Sequence, residues 1–88
     1  MGAQEEKQKN RIKSIPADYT FTEAAAFLKR IGFLQYNKGK TSGSRVMFFR
    51  SSDGAKILLH KPHPEDVMSR PAVRQLKDVL IEYGDLDE

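Results

Sequence analysis

The chain has 88 residues, 39% of them hydrophobic and 31% charged, with a formal net charge of +3 and no cysteine. This length allows one small hydrophobic core and excludes a second domain and a large enclosed cleft. The lack of cysteine excludes disulfides and thiol nucleophiles and favours a reducing, cytoplasmic location. No stretch has the length and apolar character of a signal or membrane-spanning segment, so we expect neither export nor membrane insertion.

The charge is unevenly distributed along the chain. Residues 1–50 hold ten lysines and arginines against four acids, giving +6, whereas residues 51–88 hold five against eight, giving −3. Such an asymmetry indicates a basic contact surface in the first half and an acidic second half that faces solvent or a partner. Ordinary surface charge is the alternative explanation.

Residues 1–14 alternate charged and amide side chains without an apolar period. We interpret them as a flexible basic arm that precedes a single domain of residues 15–88. The cations of the arm are candidates for phosphate contacts, although an unstructured leader would have the same composition: Lys7, Lys9, Arg11 and Lys13.

Two later segments have the start signals and periodicity of helices. Thr20 and Glu23 have the spacing of a capping box, and the apolar residues that follow keep helical spacing as far as Gly32. Gly32 fits the left-handed conformation that ends a helix. The second helix begins near Pro71, which is suited to a first helical turn, and ends before Gly84.

Between these helices the sequence predicts three strands, at residues 33–36, 45–50 and 56–60. The pair Asp53-Gly54 between the last two is typical of a hairpin turn. Helix, three strands and helix in this order predict an α+β fold. It has a three-stranded antiparallel sheet with both helices on one face.

The loop at residues 37–44 is polar, small and cationic. It lacks the spacing of a Walker motif and no helix follows it, which favours phosphate contact over nucleotide hydrolysis. The candidate RNA- or phosphate-binding side chains lie in this loop and at the strand ends: Lys38, Lys40, Ser44, Arg45, Arg50 and Lys61.

Four features of the chain occur together in one known family. They are Leu28-Lys29-Arg30-Ile31-Gly32-Phe33 at the end of the first helix, Gly43-Ser44 before the central strand, the Asp53-Gly54 hairpin, and a histidine shortly before the last helix. In these features, over about residues 20–84, the chain resembles the HicA toxins, or YcfA-like mRNA interferases. The resemblance implies a fold like the double-stranded-RNA-binding domain and ribosome-independent cleavage of mRNA. It also implies a type II toxin-antitoxin system with a HicB antitoxin as partner.

The chain departs from this family at one position. Family members place the catalytic histidine directly after the Gly-Ser pair, where this chain has Arg45. An arginine stays protonated and cannot act as a general base, although it can hold a phosphate through two parallel hydrogen bonds. The resemblance matches the family's second histidine, after the third strand, to His63, whereas His60 is offset by three residues.

Metal-free RNA cleavage needs a base for the 2′-hydroxyl proton, cations for the phosphate and an acid for the departing 5′-oxygen. Histidine suits the first and third roles, since it exchanges protons near neutral pH. His60 and His63 are therefore the catalytic candidates, and pairing of the central and third strands would bring Arg45 and Lys40 near them. Histidines in a proline-containing loop are also common as plain surface residues.

The same two histidines, with Glu65 and Asp66 nearby, are a weak candidate for a metal site. Prolines interrupt the spacing and no cysteine completes a ligand set, so we predict no metal and no cofactor. Phe48 and Phe49 point to opposite faces of a strand, so one belongs to the core and the other either covers the sheet or stacks on a base.

Two functions stay open from the sequence. The first is a toxin that binds and cleaves mRNA as a metal-independent endoribonuclease. The second is a non-catalytic RNA-binding or antitoxin-interacting module of the same fold, favoured by Arg45 at the usual histidine position. A third, purely structural, partner-binding domain would use the acidic second half.

Overall fold

The structure, a computed structural model, describes residues 2–36, 45–62 and 65–87, with side chains from residue 6 onward. Its elements are α1 Gly2–Ser14, α2 Phe21–Arg30, β1 Leu34–Tyr36, β2 Arg45–Arg50, β3 Ala55–His60 and α3 Arg70–Glu82. The predicted α+β class and its three strands are confirmed. Over these described ranges, no helix combines the length and apolar character needed to cross a membrane.

Residues 2–14 form the helix α1, where the sequence predicts a flexible arm. α1 lacks an apolar stripe but docks through Ile12, whose side chain is fully buried. Next to it the buried Tyr19 donates a hydrogen bond from its hydroxyl to Oε1 of Gln8 at 2.9 Å. Arg11 lies over the Tyr19 ring, 5.4 Å from its centroid. Tertiary contacts of one apolar side chain and a few polar ones hold α1 in place. The sequence of α1 therefore shows no apolar periodicity from which a helix could be predicted.

The capping box that opens α2 is confirmed. Oγ1 of Thr20 accepts a hydrogen bond from the backbone N–H of Glu23, and the Glu23 carboxylate accepts one from the backbone N–H of Thr20. The helix ends at Arg30, and Gly32 two residues later has the predicted left-handed conformation with φ +102°. The buried face of α2 consists of Phe21, Ala24, Phe27 and Leu28.

The sheet is antiparallel, with β2 in the centre and β1 and β3 at the edges. Every second side chain of β2 and β3 is buried, so one face of the sheet carries the core. The ring of Phe48 on this face lies 6.2 Å from that of Phe21 on α2. The buried side chains of this face form one cluster with those of α2 and α3: Val46, Phe48, Ala55, Ile57, Leu59, Val73, Leu76 and Leu80.

Arg50, the last residue of β2, lies on this inner face with 8% of its surface exposed. Its guanidinium donates hydrogen bonds to both carboxylate oxygens of Asp53 and of Asp85, at 2.8 to 2.9 Å, and to the carbonyl of Ile31 at 3.0 Å. It also lies 4.5 Å from the centroid of the Phe33 ring. The prediction that Arg50 binds phosphate is therefore wrong, because all its donating nitrogens are used inside the fold.

Side-chain hydrogen bonds lie at both ends of α3. Oγ of Ser69 accepts one from the backbone N–H of Ala72, and Pro71 lies in the first turn, as predicted. Beyond the last turn, the hydroxyl of Tyr83 donates to the carbonyl of Lys56 at 2.9 Å and accepts from the Lys56 N–H at 3.3 Å. α3 is thereby joined to the outer edge of β3.

Candidate nucleic-acid interface

The face of the sheet opposite the core is exposed except at the half-buried Met47 and Phe49 of the central strand, and we call it the open sheet face. Directly opposed residues of antiparallel strands have side chains on the same face, so the strand register defines its members. It consists of Leu34 and Tyr36 from β1, Arg45, Met47 and Phe49 from β2, and Lys56, Leu58 and His60 from β3.

One end of the open sheet face carries a basic pair. Arg45 on β2 and His60 on β3 are direct register partners, and both side chains are exposed. The Cβ atoms of such partners lie about 4.5–5.5 Å apart, close enough for both side chains to reach one phosphate group. The predicted proximity of Arg45 to a histidine at the end of the third strand is confirmed for His60.

The rest of the open sheet face is largely apolar and forms two rows. Tyr36, Met47 and Leu58 lie side by side across the three strands. Leu34 and Phe49 lie side by side in the next row, which ends at Lys56 on β3.

Charge on the open sheet face has one sign. Its eight residues include Arg45, Lys56 and the titratable His60, and none of the eight is acidic. Of these three, only Arg45 comes from the first half of the sequence, where a basic contact surface is predicted, whereas Lys56 and His60 come from the second half. The cations come from two adjacent strands at opposite ends of the face.

The other predicted site residues lie away from the open sheet face or outside the described residues. Lys61 lines a groove of about 400 Å³ along α2, together with Lys29 and Gln35. Arg50 is buried on the inner face, as described above. Four predicted residues lie outside the described ranges: Lys38, Lys40, Ser44 and His63.

Arg11, a candidate phosphate contact from the sequence, is used within the fold. Its Nη2 lies 3.1 Å from Oε1 of Glu23 and 3.5 Å from Oδ1 of Asp18. Partial burial works against ionisation of Glu23, but the hydrogen bonds from Thr20 and the nearby guanidinium outweigh it and lower the pKa of the Glu23 carboxyl. This network fixes α1 to the start of α2.

Three residues of the open sheet face are not among the site residues predicted from the sequence, namely Met47, Lys56 and Leu58. The signal was present in β3, where Lys56, Leu58 and His60 alternate with the buried Ala55, Ile57 and Leu59. A strict alternation with exposed apolar side chains on the outer positions indicates a face that is itself a contact surface.

Among the described residues, no group of three or more His, Asp or Glu side chains is placed to hold a metal ion.

Comparison with known proteins gives no relative. No family model matches the chain, no curated protein matches its sequence, and no solved structure matches its fold. Function is therefore inferred from the residues of the open sheet face and from the resemblance seen in the sequence.

Proposed function

We propose that this protein is a HicA-like toxin of a type II toxin-antitoxin system, which binds mRNA and cleaves it as a metal-independent endoribonuclease. We propose further that its fold is of the double-stranded-RNA-binding-domain kind. The single observation that supports this proposal best is the direct pairing of Arg45 with His60 on the open sheet face. A phosphate-binding cation and a proton-exchanging side chain stand side by side there, which are two of the groups that RNA cleavage needs.

In the proposed reaction, Arg45 holds the scissile phosphate through charge-assisted hydrogen bonds from its guanidinium. The neutral imidazole of His60 removes the proton from the adjacent 2′-hydroxyl, whose oxygen then attacks phosphorus. The bond from phosphorus to the 5′-oxygen breaks, and the departing oxygen takes up a proton from a general acid, the role we assign to His63. The products are a 2′,3′-cyclic phosphate and a free 5′-hydroxyl.

The test is incubation of labelled single-stranded RNA with the purified protein in EDTA, followed by a denaturing gel and end-group analysis of the products. We expect cleavage by the wild type, loss of cleavage with retained binding for His60→Ala, and weaker binding for Arg45→Ala. His63→Ala tests whether His63 acts as the general acid. Lys77→Ala serves as a control cation on α3, outside the open sheet face.

Cleavage that disappears in EDTA would contradict the metal-independent mechanism. Cleavage that persists in both histidine variants would contradict the assigned proton transfer. Failure of the wild type to bind RNA in the same experiment would contradict the proposal as a whole.

A second candidate function is a non-catalytic RNA-binding or antitoxin-interacting module. The observation that favours it is Arg45 itself, since an arginine at the family's histidine position binds phosphate but cannot act as a base. Intact RNA together with binding that weakens in Arg45→Ala would support this function over the first.

The proposed partner is a HicB-like antitoxin. Its existence is tested by co-expression of this chain with a HicB-like protein encoded beside it, with growth of the host as the readout. A partner that restores growth and forms a purified complex supports the toxin assignment, and continued toxicity without complex formation contradicts it.

A further inference from the structure

Three of the five apolar side chains in the two rows of the open sheet face are well exposed, and Met47 and Phe49 on the central strand are half-buried. Leu34 and Leu58 expose 59% of their surface and Tyr36 exposes 44%. The core of the protein lies on the opposite face, so folding does not bury these side chains. Contiguous exposed apolar surface of this kind marks an interaction site.

The charges around the apolar rows indicate which partner fits. The rows are bounded by Arg45 and His60 at one end and by Lys56 at the other, without an acidic residue among the eight members of the face. A second copy docked face to face would bring the cations of both molecules together with no carboxylate between them. A nucleic acid fits both features. Its phosphates are negative and suit the basic ends of the face, and the flat faces of its bases can stack on the apolar rows.

The spacing of the rows distinguishes single-stranded from duplex nucleic acid. Adjacent rows are two residues apart along each strand, which is about 6.7 Å. Stacked nucleotides repeat at about 3.4 Å along a strand, so two bases seated on adjacent rows are splayed apart rather than stacked on each other. Bases in a duplex are paired and stacked, and they cannot adopt this arrangement without opening.

We propose that Tyr36 and Phe49 form a base-stacking platform on the open sheet face, which holds two unpaired bases of the RNA substrate. Lys56 contacts a phosphate at the far end, about 13 Å from the Arg45 row along the strand direction. This inference rests on the proposed function and adds the substrate class, namely single-stranded RNA whose bases next to the scissile phosphate are unpaired. Tyr36 and Phe49 are positioning and specificity residues, since neither touches the reacting atoms.

The experiment measures binding of labelled RNA with 2′-O-methyl groups, which cannot be cleaved through the 2′-hydroxyl. The oligonucleotides are a single strand, the same strand in a duplex, and a series of single strands with one abasic site each. The proteins are the wild type, Tyr36→Ala and Tyr36→Phe, the last of which keeps the ring. Val67→Ala is the matched control, because Val67 is an exposed apolar residue outside the open sheet face.

We expect the single strand to bind more tightly than the duplex and Tyr36→Ala to weaken binding roughly 5- to 150-fold, as for the loss of one stacked base. Tyr36→Phe and Val67→Ala should bind like the wild type. One or two abasic positions should weaken binding by the wild type, and at one of them Tyr36→Ala should cause no further loss. The abasic series needs no altered protein, so it tests the proposal even where a variant is destabilised.

Three results would overturn the platform. Equal binding by Tyr36→Ala and the wild type, with binding still dependent on Arg45, would overturn the platform and leave the proposed function intact. Absence of RNA binding by the wild type would overturn both. A dimer in sedimentation that Tyr36→Ala dissociates, with RNA binding unchanged, would assign the open sheet face to a second copy of the chain.

Discussion

Arg50 joins three parts of the chain through one guanidinium group. It connects the hairpin turn at Asp53, the end of α2 at the Ile31 carbonyl and the segment after α3 at Asp85. The hydrogen bonds that Arg50 donates to the carboxylates of Asp85 and Asp53 raise the pKa of Arg50, and the hydrogen bond from Arg50 lowers the pKa of Asp53. The same residue type therefore has a structural role here and a proposed phosphate-binding role at Arg45.

Removal of this guanidinium should destabilise the protein while leaving the open sheet face in place. For Arg50→Ala we expect a loss of about 2–4 kcal/mol, because Asp85 is left in a partly buried position without its partner. Arg50→Lys should recover only part of this loss, since an ammonium cannot bind two carboxylates with the same fork of donors. Urea denaturation measures both, and an unchanged midpoint for Arg50→Ala would contradict the structural role.

Among the described residues, Glu23 and Asp53 have carboxyls with lowered pKa values, and both contribute to how stability depends on acid. A carboxyl whose pKa is lower in the folded state stabilises the fold above its usual pKa, and this contribution is lost as the pH falls through the folded value. We therefore expect unfolding midpoints to be constant near neutral pH and to fall below about pH 4.5. Asp53→Asn should lower stability at neutral pH and flatten its acid dependence, as measured by thermal denaturation across a pH series.

At the scale of elements, α1 is the helix with the least apolar attachment among the described side chains. It contacts α2 and α3, and of its side chains from residue 6 onward only that of Ile12 is buried. Whether α1 belongs to the cooperative unit or opens by itself depends on this one anchor and on the polar contacts of Gln8 and Arg11.

We expect Ile12→Ala to lower the free energy of global unfolding by about 2–5 kcal/mol, the usual cost of a truncated core isoleucine. The exposed Lys7→Ala on the same helix should change it by less than about 0.5 kcal/mol. A loss of helical circular dichroism without a shift of the main unfolding transition would instead show that α1 opens independently.

The elements with a local sequence signal could be predicted, and those formed by distant contacts could not. Thr20 and Glu23 specify a helix start within four residues, and Asp53-Gly54 specifies a hairpin in the same way. The pairing of Arg45 with His60 follows from that hairpin once its register is known. Arg50 differs, because its burial depends on Asp85, which is 35 residues away, and no local pattern reports such a partner.

At the scale of the whole molecule, the net charge of +3 underestimates how positive the proposed RNA surface is. The acids Asp53 and Asp85 are paired with Arg50, and Glu23 and Asp18 lie at Arg11. All four lie outside the open sheet face, which keeps its own cations. Binding of RNA should therefore depend on salt through a small number of identifiable side chains.

We expect the logarithm of the binding constant to fall linearly with the logarithm of salt concentration, with a slope of about −0.7 for each phosphate neutralised on a single strand. Arg45→Ala and Lys56→Ala should each reduce the steepness by about 0.7. Lys7→Ala removes the same charge from α1, which packs on the helical side of the molecule, and should leave the slope unchanged. Equal effects of all three substitutions would indicate attraction by overall charge and not by the open sheet face.

The contact between Tyr83 and Lys56 affects how the sheet meets other molecules. In an antiparallel edge strand every second residue directs its N–H and C=O outward, and on β3 the outward positions include Lys56. An edge with unsatisfied amides invites strands from other chains and leads to edge-to-edge aggregation. The Tyr83 hydroxyl occupies both backbone groups of Lys56, so an incoming strand must first displace it. One phenol group thus removes Lys56 from the backbone groups that this edge offers to a strand of another molecule.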